Sequence, residues 1–309
     1  MEWFSRCVNS LNITSTPPCA CPNDCTAPCL PPFKTLSLPE IIPATENCAG
    51  CTVPCALHPA VVPSTELGID QSRSLHNTVP GYAIHLIICT GKADWPAHIE
   101  DEGLAQALVE IIHERKKVWK RTEANRFQSP YDTNNTEYQR ILITNSELPS
   151  RFSTHRSAHD VLLMPDNVVI ANITPRRARA LLDFIYHRPN AESFQVHPNP
   201  YTNLLLVCGH GRKDRRCGTI GPMLKKALDD AISMSKAEAK VALVSHLGGH
   251  AFAGNLVIYT HQGRRVIWYG RVTPCHCIEI IQQSLLQDKV IQDLLRAVFE
   301  AGCSKRLDW

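Results

Sequence analysis

Cys208, Cys217, His246 and His250 are the residues whose types and spacing point most directly to chemistry. Thiolate and neutral imidazole are the ligands that iron and zinc take from proteins. Cys208 closes an apolar run, Leu204 to Cys208, that reads as a strand. Cys217 stands before Gly218 and a segment that reads as a helix from Ile220 to about Ile232. Between the two thiols, Gly209-His210-Gly211-Arg212-Lys213-Asp214-Arg215-Arg216 is polar, basic and glycine-containing. A strand end facing a helix N-terminus is where α/β folds carry active groups, and helix N–H groups with nearby cations favour thiolate over thiol. Ser245-His246-Leu247-Gly248-Gly249-His250 follows the next strand. The i, i+4 spacing would align both rings on a helix, but the strand before and the glycine pair predict a tight loop. Gly248 and Gly249 would let the backbone pass close to a bulky inorganic group. Gly209, Arg212, Lys213, Arg215 and Arg216 read as loop support, with the cations placed to stabilise a reduced, more negative centre and to dock an anionic partner.

Two thiolates and two imidazoles satisfy tetrahedral zinc, but structural zinc takes each cysteine pair two to four residues apart. The eight residues between Cys208 and Cys217 suit a wider object. A 2Fe–2S cluster with two histidines in place of two cysteines is the chemistry of Rieske centres. The Rieske pattern puts one cysteine and one histidine on each loop, and this chain does not. The residues favour a cluster over zinc, and buried core cysteines beside polar loop histidines stay open as a third reading.

Positioning these groups falls to two series of elements in the same order. The first is a strand over Tyr82 to Cys89, a helix carrying Leu104, Leu108, Ile111 and Ile112, and a strand at Ile141-Leu142-Ile143. A hairpin flanks Pro165-Asp166-Asn167, and a helix opens at Thr174-Pro175 and runs to about Tyr186. The second is Leu204 to Cys208, the Ile220 helix, Val241 to Ser245, a hairpin of Leu256 to Thr260 with Val266 to Tyr269, and a helix from His276. Two copies of β-α-β-β-β-α predict an α/β protein of two thioredoxin-like lobes, residues 81–195 cluster-free and residues 196–309 carrying one cluster. Ahead of them residues 1–80 form an arm dense in proline and cysteine, with little regular structure.

The bulk composition narrows the function. Lys plus Arg (32) barely exceeds Asp plus Glu (29), which argues against a nucleic-acid partner. No apolar run is long enough for a membrane helix, and Met1 to Thr16 fits neither a secretory signal nor a mitochondrial presequence. The expectation is a cytoplasmic protein, with mitochondria as the alternative, in which fourteen cysteines serve metal or redox chemistry before disulfides.

The segment 208–218, the His246 to His250 segment, Trp268-Tyr269-Gly270-Arg271-Val272-Thr273-Pro274 and Thr90-Gly91-Lys92-Ala93-Asp94-Trp95 resemble the sucrase/ferredoxin-like family over about residues 80–309. Its members are thioredoxin-like ferredoxins, including the fungal altered-inheritance-of-mitochondria and actin-patches-distal types. The resemblance implies a 2Fe–2S cluster on Cys208, Cys217, His246 and His250, two thioredoxin-like lobes and a role in redox homeostasis. Lys213 stands where arginine is commoner in the family. No paired-carboxylate site supports sucrase chemistry, so electron transfer is expected rather than substrate conversion.

Weaker signals remain. Cys89 with His155 and His159 echoes the ligand set in a degenerate copy, and Thr90 to Trp95 is placed to shape a surface between the lobes. Cys19, Cys21, Cys25 and Cys29, then Cys48, Cys51 and Cys55, suggest zinc or disulfides in the arm. Two rival functions follow: a zinc-stabilised interaction module without redox role, or a dithiol oxidoreductase using the arm cysteines. Cys275 and Cys277 open a helix, where a thiol pKa can fall. Leu307-Asp308-Trp309 resembles the C-terminal tripeptide by which clients engage the cytosolic iron–sulfur targeting complex. The redox partner has no signature in the sequence.

Overall fold

Strand runs whose residues are apolar on both faces need cover on both, and the fold supplies it by facing one half of a long sheet with the other. The computed structural model describes residues 33–35, 41–42, 67–121, 140–187 and 194–301. Two short strands come from the arm, β1 (Phe33–Thr35) and β2 (Ile41–Ile42). The first repeat follows as β3 (Ile84–Cys89), α1 (Gly103–Arg121), β4 (Ile141–Ser146), β5 (His159–Met164), β6 (Val168–Ile173) and α2 (Ala178–His187). After β7 (Gln195–Pro198) the second repeat runs β8 (Leu204–Cys208), α3 (Arg215–Ser235), β9 (Lys240–Val244), β10 (Leu256–Thr260), β11 (Arg265–Tyr269) and α4 (Cys277–Ile280). The last strands are β12 (Val290–Ile291) and β13 (Leu295–Ala301). Both repeats thus have the expected β-α-β-β-β-α order in an α/β fold. In each, the strands flanking the first helix are parallel, β3 with β4 and β8 with β9, and the hairpin that follows is antiparallel.

One eleven-stranded sheet runs β1-β13-β11-β10-β8-β9-β4-β3-β5-β6-β7. The repeats join where β4 meets β9 at the Ser146–Val244 pair. Ser245 N donates to Asn145 O at 2.8 Å and Glu147 N to Leu243 O at 3.0 Å beside it. In this order β3 and β10 stand four strand spacings apart, about 19 Å in a flat sheet. Yet His85 Nδ1 of β3 lies 2.8 Å from the Tyr259 hydroxyl of β10. The sheet therefore folds back at the β4–β9 seam, and its halves face each other. Ile87, Leu142 and Leu162 from one half meet Leu206, Val257 and Trp268 from the other in a central layer. The opposite face of the first half is covered by α1 and α2, and that of the second by α3 and α4. Helices thus lie only on the outer faces, because the partner half supplies the inner cover.

The central layer holds polar groups that pair with each other. His85 Nε2 meets Thr144 Oγ1 at 2.8 Å, the Tyr82 and Tyr259 hydroxyls lie 3.0 Å apart, and Trp268 Nε1 donates to Tyr82. Buried polar groups that satisfy one another fix one arrangement of facing sheets where apolar contact alone would allow several.

Helix α3 begins at Arg215, five residues earlier than the sequence suggested. Gly218, Gly221 and Pro222 lower helix propensity there, but the Asp214 side chain caps the helix by accepting from Arg216 N, and packing does the rest. No helix among the described residues is long and apolar enough to cross a membrane.

Candidate metal centre

Cys208 is the last residue of β8 and Cys217 the third of α3. They meet because the helix rests directly on the loop between them. A Cβ on Gly221 would lie 2.5 Å from Cys208 O and 2.7 Å from Gly209 Cα, and one on Gly218 would lie 2.4 Å from Gly211 Cα. Only glycine permits that approach. Both thiols face the central layer, buried, and hydrogen bond to each other. The Cys217 thiol, foremost, holds Cys208 well below the usual range, and the His246 ring with the N–H groups of Leu247 and His210 adds to this against the effect of burial. The same bond, with burial, pushes Cys217 up. The contact between the two sulfurs thus favours ionisation at Cys208 over Cys217.

The histidine segment is a loop, as the glycines predicted. Gly248 and Gly249 have φ of +87° and +72°, in the left-handed region that suits glycine. His246 and His250 come together with ring centroids 5.2 Å apart and planes at 39°. His250 is half-exposed, its Nε2 4.0 Å from Asp214 Oδ2. His246 Nδ1 is buried and has no hydrogen-bond partner. A buried ring nitrogen left without a partner costs free energy unless something occupies its lone pair or takes its proton.

His210, absent from the residues singled out by sequence, ties the loops together. Its Nε2 faces Pro96 O at 2.8 Å, so Nε2 carries the proton, and Nδ1 accepts from His246 N at 3.2 Å. Burial, as the largest influence, lowers its pKa and keeps the ring neutral. Trp95 packs edge-on against it at 5.8 Å and donates to Thr90 Oγ1. The Thr90 to Trp95 segment thus meets the second repeat at the cysteine loop, in keeping with a surface between the repeats. Asp214, Gly218, Gly221 and Arg296 also belong to the site and were missed. For the first three the only trace in the sequence is the density of glycine and charge around the cysteines, and Arg296 leaves none.

The four cations of the loop are used differently from one another. Arg212 pairs with Asp94 at 2.8 Å, Lys213 Nζ meets His98 Nδ1 at 2.9 Å, and Arg216 pairs with Asp214 at 2.8 Å. Arg212 and Lys213 therefore fasten the loop to the first repeat. Arg215 is exposed.

Among the weaker candidates, Cys89 is buried in the central layer, its thiol pushed up by burial and by the Asp160 carboxylate. His159 Nδ1 lies 3.1 Å from Cys89 O, on the backbone and not the sulfur, and His155 is exposed. Cys277 packs in the outer layer under α3, on the other face of the sheet from Cys208, and its thiol reaches Thr273 O at 3.6 Å. Cys275 is half-buried at that helix start. The arm cysteines and Leu307-Asp308-Trp309 lie outside the described residues.

Among the described residues no three His, Cys, Asp or Glu side chains are arranged around a point that would hold a single metal ion. The four side chains instead form a string, Cys217 to Cys208 to His246 to His250, each touching or facing the next. Two buried thiols in contact and a buried His246 Nδ1 without a hydrogen-bond partner fit a group that spans several ångströms and takes both sulfur and nitrogen ligands.

The sucrase/ferredoxin-like family model matches residues 75–297. Similar curated proteins are both called altered inheritance of mitochondria protein 32. That of Clavispora lusitaniae is 40% identical over 96 residues, 31% of this chain and 35% of that protein. That of Debaryomyces hansenii is 29% identical over 183 residues, 52% of this chain and 66% of that protein. The chain thus spans less than two thirds of either relative. A thioredoxin-like [2Fe–2S] ferredoxin from Aquifex aeolicus is a structural neighbour at 17% identity, with a TM-score of 0.27, covering 34% of this chain and 96% of its own.

Proposed function

The chain belongs to the sucrase/ferredoxin-like family, and from that premise we propose that it is a 2Fe–2S ferredoxin acting in electron transfer and redox homeostasis. One cluster per chain would be held by Cys208, Cys217, His246 and His250. The observation that carries this reading is the buried, unpartnered Nδ1 of His246 beside the buried Cys208 and Cys217 thiols, which meet each other and the histidine ring. When bound, such a cluster supplies a one-electron couple, and histidine ligands raise its potential relative to all-cysteine ferredoxins.

The chain's own residues do the rest. The packing of α3 on the Cys208 strand end excludes water from both thiols. His210 and the Gly248-Gly249 turn set the direction of the histidine loop. His250, 47% exposed with a carboxylate nearby, is the ring through which a proton can pass between solvent and the site as the electron arrives. We place the protein in the cytoplasm, with Leu307-Asp308-Trp309 as the segment that engages the iron–sulfur targeting complex. The name of the relatives fits the mitochondrial alternative.

Anaerobic purification with iron and sulfide analysis, followed by paramagnetic resonance after dithionite, tests the reading. About two irons and two sulfides per chain with a rhombic signal on reduction are expected for such a cluster. Colourless protein with one zinc per chain would overturn it in favour of an interaction module.

A further inference from the structure

Arg296, on β13, is 2% exposed, among the largest fully buried side chains, and has no carboxylate partner among the described residues. Among the described residues its side-chain hydrogen bonds all run to neutral acceptors. Nε donates to Thr78 Oγ1 at 3.0 Å and Nη2 to Thr78 O at 3.1 Å. Nη1 donates to Gly248 O at 3.1 Å and to Asn255 Oδ1 at 2.8 Å. The guanidinium lies between the rings of Phe252 and Trp268, 5.6 and 5.9 Å from their centroids. It presses on the histidine loop so closely that a Cβ on Gly249 would fall 2.3 Å from Nη2, and one on Gly270 2.9 Å from Cδ.

A buried cation without a counter-charge is costly, and mutually satisfied neutral bonds only partly offset that. Burial lowers the Arg296 pKa to about 10, and the acting counter-influences are the Cys208 and Cys217 sulfurs. Cys208 and Cys217 are thus the groups of the site whose charge this guanidinium feels.

We propose that Arg296 is the internal counter-charge of the metal centre and the positioning residue of its histidine loop, raising the reduction potential by favouring the more negative reduced state. This rests on the 2Fe–2S reading above. With Nε and Nη2 anchored on Thr78, the planar guanidinium aims Nη1 at the Gly248 carbonyl and so holds the turn between His246 and His250, while the charge acts across the interior on whatever the four ligands hold. Low dielectric makes such a charge effective, and lysine would keep the charge but not the fork.

The test is a dye-equilibrated redox titration of full-length loaded protein, wild type beside Arg296→Met, Arg296→Gln and Arg296→Lys, with thermal melts of each. The neutral variants should shift the reduction equilibrium at least tenfold towards the oxidised state, a fall of about 59 mV for one electron. Arg296→Lys should stay within about threefold of wild type, with a broadened paramagnetic signal from a looser histidine loop. A neutral variant with unchanged potential overturns the proposal. So does a tenfold shift in Arg296→Lys, which would make the fork alone responsible and decides the matter even if neither neutral variant folds. Absence of iron and sulfide from the wild type would instead sink the cluster reading itself.

Discussion

Replacing Gly221 by alanine sets two effects of opposite sign against each other. Gly221 lies inside α3, where alanine is favoured over glycine by about 0.8–1 kcal/mol. If propensity decided, the variant would be more stable and melt about 2–4 °C higher, the shift expected per kcal/mol in a large domain. The packing says otherwise. The new Cβ would stand 2.5 Å from Cys208 O, 2.7 Å from Gly209 Cα and 3.1 Å from Cys208 C. All three are backbone atoms at the end of a central strand, so no side chain can swing away. Relief requires α3 and the Cys208 loop to separate by roughly an ångström, at an overpacking cost of about 1–3 kcal/mol or more. Packing wins, and the separation falls on the very pair of thiols that α3 brings together. Gly221→Ala should therefore melt lower than wild type and carry less than half its iron, read by calorimetry and by iron and sulfide per chain. A melting temperature raised by a few degrees with full iron content would refute the account of why the cysteines meet.

Cys208→Ser or Cys217→Ser should lose visible absorbance, whereas His246→Cys or His250→Cys should keep a cluster at lower potential; full absorbance in Cys208→Ala would reject the ligand set. The midpoint potential should fall by about 59 mV per pH unit over part of the range from about pH 5 to 10, and voltammetry giving a flat line throughout would mean that neither histidine takes up a proton with the electron. Burial, with the Arg140 charge behind it, lowers His85 from 6.5 to about 3. The unfolded chain binds a proton in that window and the folded one does not, so stability present above pH 6.5 is lost on acidification by about 1.4 kcal/mol per unit. Denaturant curves for wild type minus His85→Gln should show that slope between about pH 6.5 and 5, and no difference would count against it. Deleting Trp309 should lower iron loading in cells while the melting temperature of the loaded fraction stays the same; unchanged loading would defeat the targeting role.

Strand positions were legible because their signal is local. Ile84 to Cys89 and Leu204 to Cys208 are apolar without interruption, and such runs have few other uses. The proposed ligands drew notice for a different reason, since two cysteines bracket a basic, glycine-containing loop and two histidines bracket a glycine pair. What stayed hidden is what depends on distant partners. Nothing near Arg296 marks it as buried, because its acceptors Thr78, Gly248 and Asn255 are supplied by three other segments. The first turn of α3 was hidden in the polar loop reading of residues 209–216, and it is the missing side chains of Gly218 and Gly221 that let the helix pack there. The face-to-face closure of the sheet was hidden too. It follows from seam residues such as Ser146 and Ser245, polar and unremarked in a string, and from His85 finding Tyr259.

The same repeat occurs twice, yet among the described residues only the second brings two cysteines and two histidines together, and the reason lies in how the first helix of each is reached. In the second repeat Asp214 caps a helix that begins at Arg215, close behind Cys208, so a cysteine in its first turn arrives at the strand end. In the first repeat α1 begins only at Gly103, well beyond Cys89, and the intervening chain runs outwards through Trp95 and Pro96. Among the described residues no helix start faces Cys89. Its carbonyl is held by Ser150 Oγ at 2.8 Å and His159 Nδ1 at 3.1 Å, and its thiol is kept protonated by burial and Asp160. The chain that fails to return to Cys89 is used elsewhere: Pro96 O receives His210, Asp94 receives Arg212, and Trp95 covers the ring of His210. A longer connection thus turns one copy of the repeat into the wall against which the other copy's cysteine loop is set.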